Sequence, residues 1–197
     1  MRHLTRPLRA QHGFSLMELF VTLAVAGILV GIAMPSLTTF VQNTRQTSEA
    51  NSLIMSLDFA RSEAIKEDAN VLICASADGA TCSGNVNPGG WATGWIVETT
   101  SAPITVLQAM PALGANNTLS AAFDAGAGLA NISSVTFQPN GFVQAAAGSN
   151  IYNITYFTLC DIRGAAWAHD MEISPIGSVR SSSTAGQTLA GAALNCP

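Results

Sequence analysis

Apolar residues follow three different patterns along this chain of 197 residues. Residues 19–34 form an uncharged, largely apolar run, which with the residues up to 41 reaches the roughly 20 that a membrane-spanning helix needs. From residue 42 to about residue 67, apolar side chains recur at spacings of three and four, which predicts an amphipathic helix. The residues that show this spacing are Leu53, Leu57, Ala60 and Ala64.

Beyond residue 70, short β-rich runs alternate with Gly, Pro, Asn and Ser, a pattern typical of strands and turns. Residues 111–131 are rich in Ala, Gly and Asn, and we expect a long loop or an irregular excursion there. The other runs are expected to form small antiparallel sheets. The predicted strands are 71–75, 94–98, 104–108, 135–137, 151–159 and 171–174, with shorter ones at 142–143 and 178–180.

These patterns together predict an α+β chain. A long N-terminal helix would be kinked at Pro35, because proline removes one helical hydrogen bond and its ring clashes with the preceding turn. The second half of this helix, residues 42–67, is expected to pack on a β-rich domain of residues 68–197. About 150 residues beyond the apolar run are enough for one domain.

The residues at the N-terminal end of the apolar run are unusual. Three arginines precede it within residues 1–12, and after Glu18 no charged residue follows until Arg45. A secretory signal peptide would be cut after its apolar stretch, whereas the plausible cut here lies before it, at Gly13. A plain membrane anchor explains the run and a basic cytoplasmic leader. It does not explain Glu18, because a carboxylate is costly in a bilayer and asks for a partner.

The junction resembles the class III signal of type IV prepilins and pseudopilins. Gly13 is followed by Phe14, Glu18 is the fifth residue after that bond, and Pro35 is the twenty-second. The resemblance implies that a membrane peptidase removes a leader of residues 1–13 and methylates the amino group of Phe14. It also implies that residues 14–41 are the transmembrane and assembly helix, in which Glu18 faces the terminal amine of a neighbouring subunit.

The four cysteines all lie outside the apolar run, on the side that an exported domain places in an oxidising compartment. Three pairings are possible. We favour Cys74 with Cys82 and Cys160 with Cys196, because each bond then closes a loop within its own half of the domain. No metal site is predicted, since the spacing is not CxxC and His169 is the single histidine left after processing.

Composition argues against several classes of function. Without the leader, five basic side chains stand against twelve acidic ones, a difference of −7. A basic patch, the usual signature of nucleic-acid binding, is not evident. There is no GxSxG, GxGxxG or P-loop motif, so we predict neither an enzyme nor a bound cofactor. Trp91 and Trp95 are expected to be a buried aromatic pair.

Later motifs resemble the GspH/FimT group of minor pilins and pseudopilins. The resemblance implies a type IV pilin-like fold and a minor pilin that serves pilus assembly or initiation as a structural, tip or priming subunit. A GspH-like pseudopilin of type II secretion and a FimT-like DNA-binding pilin for natural transformation are the alternatives. The matching stretches are 60–64, 71–74, 78–79 with Cys82, 91–95, 135–141 and 157–161.

The DNA-binding members of the group carry a Gly-Arg-x-Arg motif near the C-terminus. Residues 177–180 read Gly-Ser-Val-Arg here, so the first arginine is replaced by Ser178. We therefore disfavour DNA binding and expect Arg180 at a solvated strand end or paired with Asp170 or Glu172. The expected partners are other pilins, the prepilin peptidase and the inner membrane. The expected location is a single-pass membrane protein with a periplasmic domain, later at the pilus surface.

Overall fold

The computed structural model describes residues 13–87, 89–114, 116–124, 129–144 and 154–196. The chain divides into two compact units, residues 1–44 and residues 45–197. Helix α1 (Leu16–Lys66) ends within one residue of the predicted boundary. Residues 1–12 of the predicted leader lie outside the described residues. The Pro35 side chain does as well, so the kink at Pro35 stays a prediction.

Helix α1 begins with a capping interaction. The Ser15 hydroxyl oxygen accepts a hydrogen bond from the backbone N–H of Glu18 at 3.2 Å, which satisfies one of the free donors of the first turn. Glu18 itself lies in that turn, where a negative charge is favoured by the helix dipole. Within the described residues, α1 is the one helix that is long and apolar enough to cross a membrane.

The domain of residues 45–197 contains two antiparallel sheets of five strands each among the described residues. The first sheet has the order β3-β2-β1-β6-β7 and the second the order β10-β9-β8-β4-β5. The chain therefore passes from the first sheet to the second after β3, returns after β5, and leaves again after β7. The strands are β1 (Val71–Ala75), β2 (Trp95–Thr99), β3 (Val106–Met110), β4 (Thr118–Asp124), β5 (Leu129–Asn131), β6 (Ser134–Phe137), β7 (Val143–Gln144), β8 (Thr155–Cys160), β9 (His169–Ile173) and β10 (Val179–Ser181).

Strand β1 has the predicted bounds, and the other predicted strands lie within a few residues of their observed positions, although residues 151–153 are outside the described part. The predicted loop at residues 111–131 is wrong, because it contains β4 and β5. In β4, Leu119 and Ala121 alternate into the core, opposite Leu159 and Phe157 of β8. The large side chain of Phe157 thus fills the space beside the small Ala121. Because the strand is rich in alanine, its alternation of buried and exposed positions is not visible in the sequence.

The core lies between α1 and the two sheets. Leu53, Leu57, Ala60 and Ala64 are fully buried, so the predicted packing face of the helix is confirmed. Trp91 and Trp95 are also buried, each about 1% exposed, as expected. Two short 3₁₀ helices, Gly90–Thr93 and Ala165–Trp167, complete the described elements.

Candidate functional site

The first candidate site is the N-terminal part of α1, up to residue 44. Its side chains are exposed throughout the first turns, and Phe14 is 84% exposed. Glu18 is the sole charged residue between Phe14 and Arg45, and no ion pair found among the described residues involves it. A bare apolar helix of this length needs an apolar environment, either lipid or other helices.

The structure brings the junction residues together at this helix end. Gly13 and Phe14 precede the helix, and Glu18 lies one turn further along, with its N–H capped by Ser15. One turn beyond, the Thr22 hydroxyl donates to the carbonyl of Leu19 at 2.9 Å, so it is satisfied within the helix. The carboxylate of Glu18 is therefore the chemically distinctive group of an otherwise apolar surface.

The cysteines form the two pairs that the sequence favoured. Cys74 is bonded to Cys82 with 5.6 Å between the Cα atoms, and Cys160 to Cys196 with 6.0 Å. Cysteines in disulfides offer no thiolate to a metal ion. Oε1 of Glu98 lies 3.2 Å from Sγ of Cys82, a close contact but no hydrogen bond, because a disulfide sulfur carries no proton. Burial raises the pKa of Glu98, and no sequence motif pointed to this contact.

Asp78, within one of the stretches that carry the family resemblance, organises the loop closed by the first disulfide. Its carboxylate accepts hydrogen bonds from the N–H groups of Ala80 and Thr81 at 2.9 and 2.8 Å and from the Thr81 hydroxyl at 2.7 Å. Ser76 donates a further hydrogen bond at 3.0 Å. These donors hold the pKa of Asp78 well below its usual range. Its role is that of a turn residue.

Two polar side chains, Glu49 and Gln46, tie the N-terminal end of the domain's helical segment to distant loops. Glu49 accepts a hydrogen bond from the N–H of Gly114 at 3.1 Å and another from Nδ2 of Asn117 at 2.6 Å. On the other side, Oε1 of the buried Gln46 accepts from Nη2 of Arg163 at 3.1 Å. The partners are 65 to 117 residues apart, so no local spacing reveals them.

Arg163 forms the centre of a small, largely buried cluster in the loop between β8 and β9. Its Nη2 atom lies 2.6 Å from Oδ2 of Asp161, and its guanidinium stacks 4.5 Å from the centre of the Trp167 ring. Such charge-assisted and cation–π contacts orient an arginine side chain. These contacts explain the position of the Arg163 side chain, which binds to residues of its own chain.

Residues 177–180 comprise the end of the turn between β9 and β10 and the first two residues of β10. Gly177 has φ +77°, and a Cβ atom there would overlap the Gly141 carbonyl oxygen and lie 2.9 Å from Nε of Arg61. Arg61 donates to the Ile176 carbonyl at 3.0 Å. Glycine is thus required at position 177, because the turn that contains Gly141 and the Arg61 side chain leave no room for a Cβ atom. Arg180 is exposed, opposite Glu172 in the strand register, which agrees with a solvated strand position.

We expect Gly177→Ala to lower the free energy of unfolding by about 3 kcal/mol, since it combines a left-handed conformation with a backbone clash. Gly84→Ala is the matched control, because Gly84 also has a positive φ but nothing lies within 4 Å of the added Cβ atom. That variant should lose only about 1 kcal/mol. Urea unfolding of the full chain in detergent, followed by circular dichroism, measures both. Equal losses would show that the clash is absent.

The apolar N-terminal helix and the disulfide-bonded antiparallel domain are the features of minor pilins and pseudopilins, and the comparisons with known proteins agree. Residues 8–34 match the prokaryotic N-terminal methylation motif. Residues 49–177 match the family described as type II transport protein GspH, and because this match covers more than half of the chain, the protein belongs to that family. The predicted GspH/FimT type is thereby confirmed.

A solved crystal structure of a minor pilin shows the same fold. The crystal structure of the type IV minor pilin FimU of Pseudomonas aeruginosa is 19% identical and aligns with a TM-score of 0.51, over 74% of this chain and 98% of that one. The minor pseudopilin EpsH from the type 2 secretion system of Vibrio cholerae is 11% identical, with a TM-score of 0.45, over 70% and 96% of the two chains. The predicted pilin-like α+β fold is confirmed. No curated protein matches the chain in sequence.

Proposed function

We propose that this chain is a non-enzymatic minor pilin that takes part in the assembly or initiation of a type IV pilus. The observation that carries the proposal is the exposed apolar surface of α1, broken by the single carboxylate of Glu18 in its first turn. Such a surface is stable in a bilayer and in a bundle of similar helices, so it suits a subunit that moves from one to the other.

Processing creates the second half of the proposed contact. Cleavage between Gly13 and Phe14 would leave a methylated amino group on Phe14, and this cation would face Glu18 of a neighbouring subunit. Opposite charges about 4 Å apart attract by roughly 4 kcal/mol at an effective dielectric constant near 20, before desolvation is subtracted. The pair would therefore set the register between neighbouring helices as well as the attraction between them.

The domain is proposed to lie in the periplasm before assembly and at the pilus surface afterwards. Its two disulfides support this location, because such bonds persist in oxidising compartments. Residues 14–41 would then be a single pass through the inner membrane, with the basic leader on the cytoplasmic side. The proposed partners are the prepilin peptidase and other pilins.

A pseudopilin of type II secretion is the second candidate, since the matching family carries the name of a type II transport protein. Deletion of the gene, with surface pili, secretion and natural transformation scored in the same strain, distinguishes the candidates. The proposal predicts loss or reduction of pili with secretion intact. Loss of secretion alone would refute it, and complementation with the intact gene is the control.

DNA binding remains disfavoured on the charges of the domain. Arg180 is exposed, but Ser178 occupies the place of the first arginine of the motif, and the mature chain carries an excess of acidic side chains. A gel shift with duplex DNA at two salt concentrations tests this alternative. Strong, salt-sensitive retention that disappears in Arg180→Ala would reverse the ranking, because phosphate contacts produce that salt dependence.

A further inference from the structure

Asp170 of β9 is a buried carboxyl group that the assembly function does not use. The residue is 1% exposed, and neither carboxyl oxygen makes a hydrogen bond of good geometry. The polar groups that interact with its carboxyl group are the N–H of Leu189 and the carboxyl group of Glu172. An ionised carboxylate in this position lacks both water and adequate donors, which makes the charged form costly.

The cover over Asp170 is the C-terminal segment, residues 182–196. It leaves β10 with the N–H of Ser182 donating to the Asp170 carbonyl at 2.9 Å, and the N–H of Gly186 donates to the Ala168 carbonyl at 2.8 Å. It then turns back on itself through a bridge between Gln187 and Ala193. Its far end is held to the second sheet by the bond between Cys160 and Cys196. The segment is therefore fixed at both ends and closed over a carboxyl group between them.

The charged and titratable groups on this face of the sheet are few. Alternation along β9 places Asp170 and Glu172 on the covered face, whereas Met171 and Ile173 point into the core. Arg180 of β10 and Tyr156 of β8 lie opposite Glu172 in the register. Residues 182–195 contain no titratable side chain, and Cys196 is in a disulfide. Glu172 is therefore the acidic neighbour that adds repulsion when Asp170 ionises.

We infer that the C-terminal segment is a proton-controlled strap, closed over the neutral Asp170 carboxyl group and loosened when that group ionises and takes up water. The fixed ends at β10 and Cys196 confine the movement to the turn that contains Leu189. Opening would expose the outer face of the second sheet without unfolding the core.

The direction of the pH dependence follows from the pKa. Burial, together with the nearby Glu172 charge, raises the pKa of Asp170 to about 6, above its ordinary value of 3.8. The closed state thus binds the proton more tightly than the open state. Closure is most stable at low pH, and this stability is lost as the pH rises from the ordinary value through about 6. With these values, the equilibrium for opening should increase about tenfold between pH 5 and pH 7.5.

Hydrogen exchange on the full mature chain in detergent, with the disulfides intact, measures the opening. After correction for the intrinsic pH dependence of exchange, peptides from residues 183–195 should exchange about tenfold faster at pH 7.5 than at pH 5. Asp170→Asn should abolish this change, and Glu172→Gln should shift its midpoint to lower pH. If the corrected exchange rates of these peptides in the wild-type chain are the same at both pH values, the inference is wrong, and no variant is needed to show it.

His169 is the necessary control, because it is the neighbour of Asp170 in β9 and histidine is the side chain that ordinarily changes charge between pH 5 and pH 8. It lies on the opposite face of β9, and burial and the Arg163 charge lower its pKa. His169→Gln should leave the pH profile of the C-terminal segment unchanged. Loss of the profile in this variant, or its persistence in Asp170→Asn, would assign the switch elsewhere.

Discussion

A chain carrying Glu18→Ala is expected to insert into the inner membrane and to lose its leader normally, but to enter filaments poorly. The substitution removes the single charge of the apolar helix surface, so it makes membrane insertion easier rather than harder. It also leaves the proposed amine of the neighbouring subunit without its counter-ion inside an apolar bundle. We expect at least a tenfold fall in the amount of subunit recovered in sheared filaments, because an unpaired buried charge costs several kcal/mol.

Three measurements on one strain separate assembly from earlier steps: membrane fractionation, leader removal seen by gel mobility, and immunoblotting of sheared filaments. Thr22→Ala is the matched control, since Thr22 is also exposed near the start of α1 and its hydroxyl bonds only to its own helix. That variant should assemble normally. Normal incorporation of Glu18→Ala would remove the carboxylate from the assembly mechanism.

Trp91→Ala is expected to be the most destabilising single substitution in the domain core. The Trp91 ring is packed edge to face with Phe157 at 5.0 Å between centroids, and its Nε1–H donates to the Ile132 carbonyl at 2.8 Å. Removing the ring leaves a cavity in the core and also deprives the Ile132 carbonyl of its donor. The expected loss is about 3–5 kcal/mol in the free energy of unfolding.

Trp167→Ala provides the comparison, because Trp167 is 39% exposed and contacts Arg163 by stacking. Its loss should be near 1 kcal/mol. Chemical unfolding of the full chain, followed by far-ultraviolet circular dichroism, avoids a dependence on tryptophan fluorescence. Trp91→Phe should fall between the two, since it keeps part of the ring packing and loses the hydrogen bond. Equal losses for Trp91→Ala and Trp167→Ala would contradict the assigned core.

Local patterns made the N-terminal half of the fold predictable. The extent of α1 and the bounds of β1 follow from continuous apolar periodicity and from clear breakers at their ends. Strand β4 did not follow, because its small side chains acquire much of their hydrophobic environment from β8, about 40 residues away in sequence. The disulfide pairs were predictable from loop closure, whereas the contact of Glu98 with Cys82 depends on strand pairing.

The polar residues also divide into those that the sequence reveals and those that depend on long-range contacts. Glu18 is visible in the sequence because its neighbours are uncharged for many residues on the C-terminal side. Asp170 is not, since its burial depends on a segment that returns over the sheet from the C-terminal end. Gln46 and Arg163 meet across 117 residues, and either residue alone resembles an ordinary surface side chain. Long-range contacts of this kind lie beyond what spacing and composition can indicate.

The three passages of the chain between the two sheets have a consequence for biogenesis. If the domain is exported as proposed, with its earlier residues first, β1, β2 and β3 can pair early, and Cys74 can meet Cys82 only eight residues later. In the second sheet β4 and β5 can pair first, but the sheet is extended only by β8, which brings Cys160 out after that first bond can already be closed. Under that proposal the order of export would sort the thiols, and the last cysteine to emerge would find a single partner left.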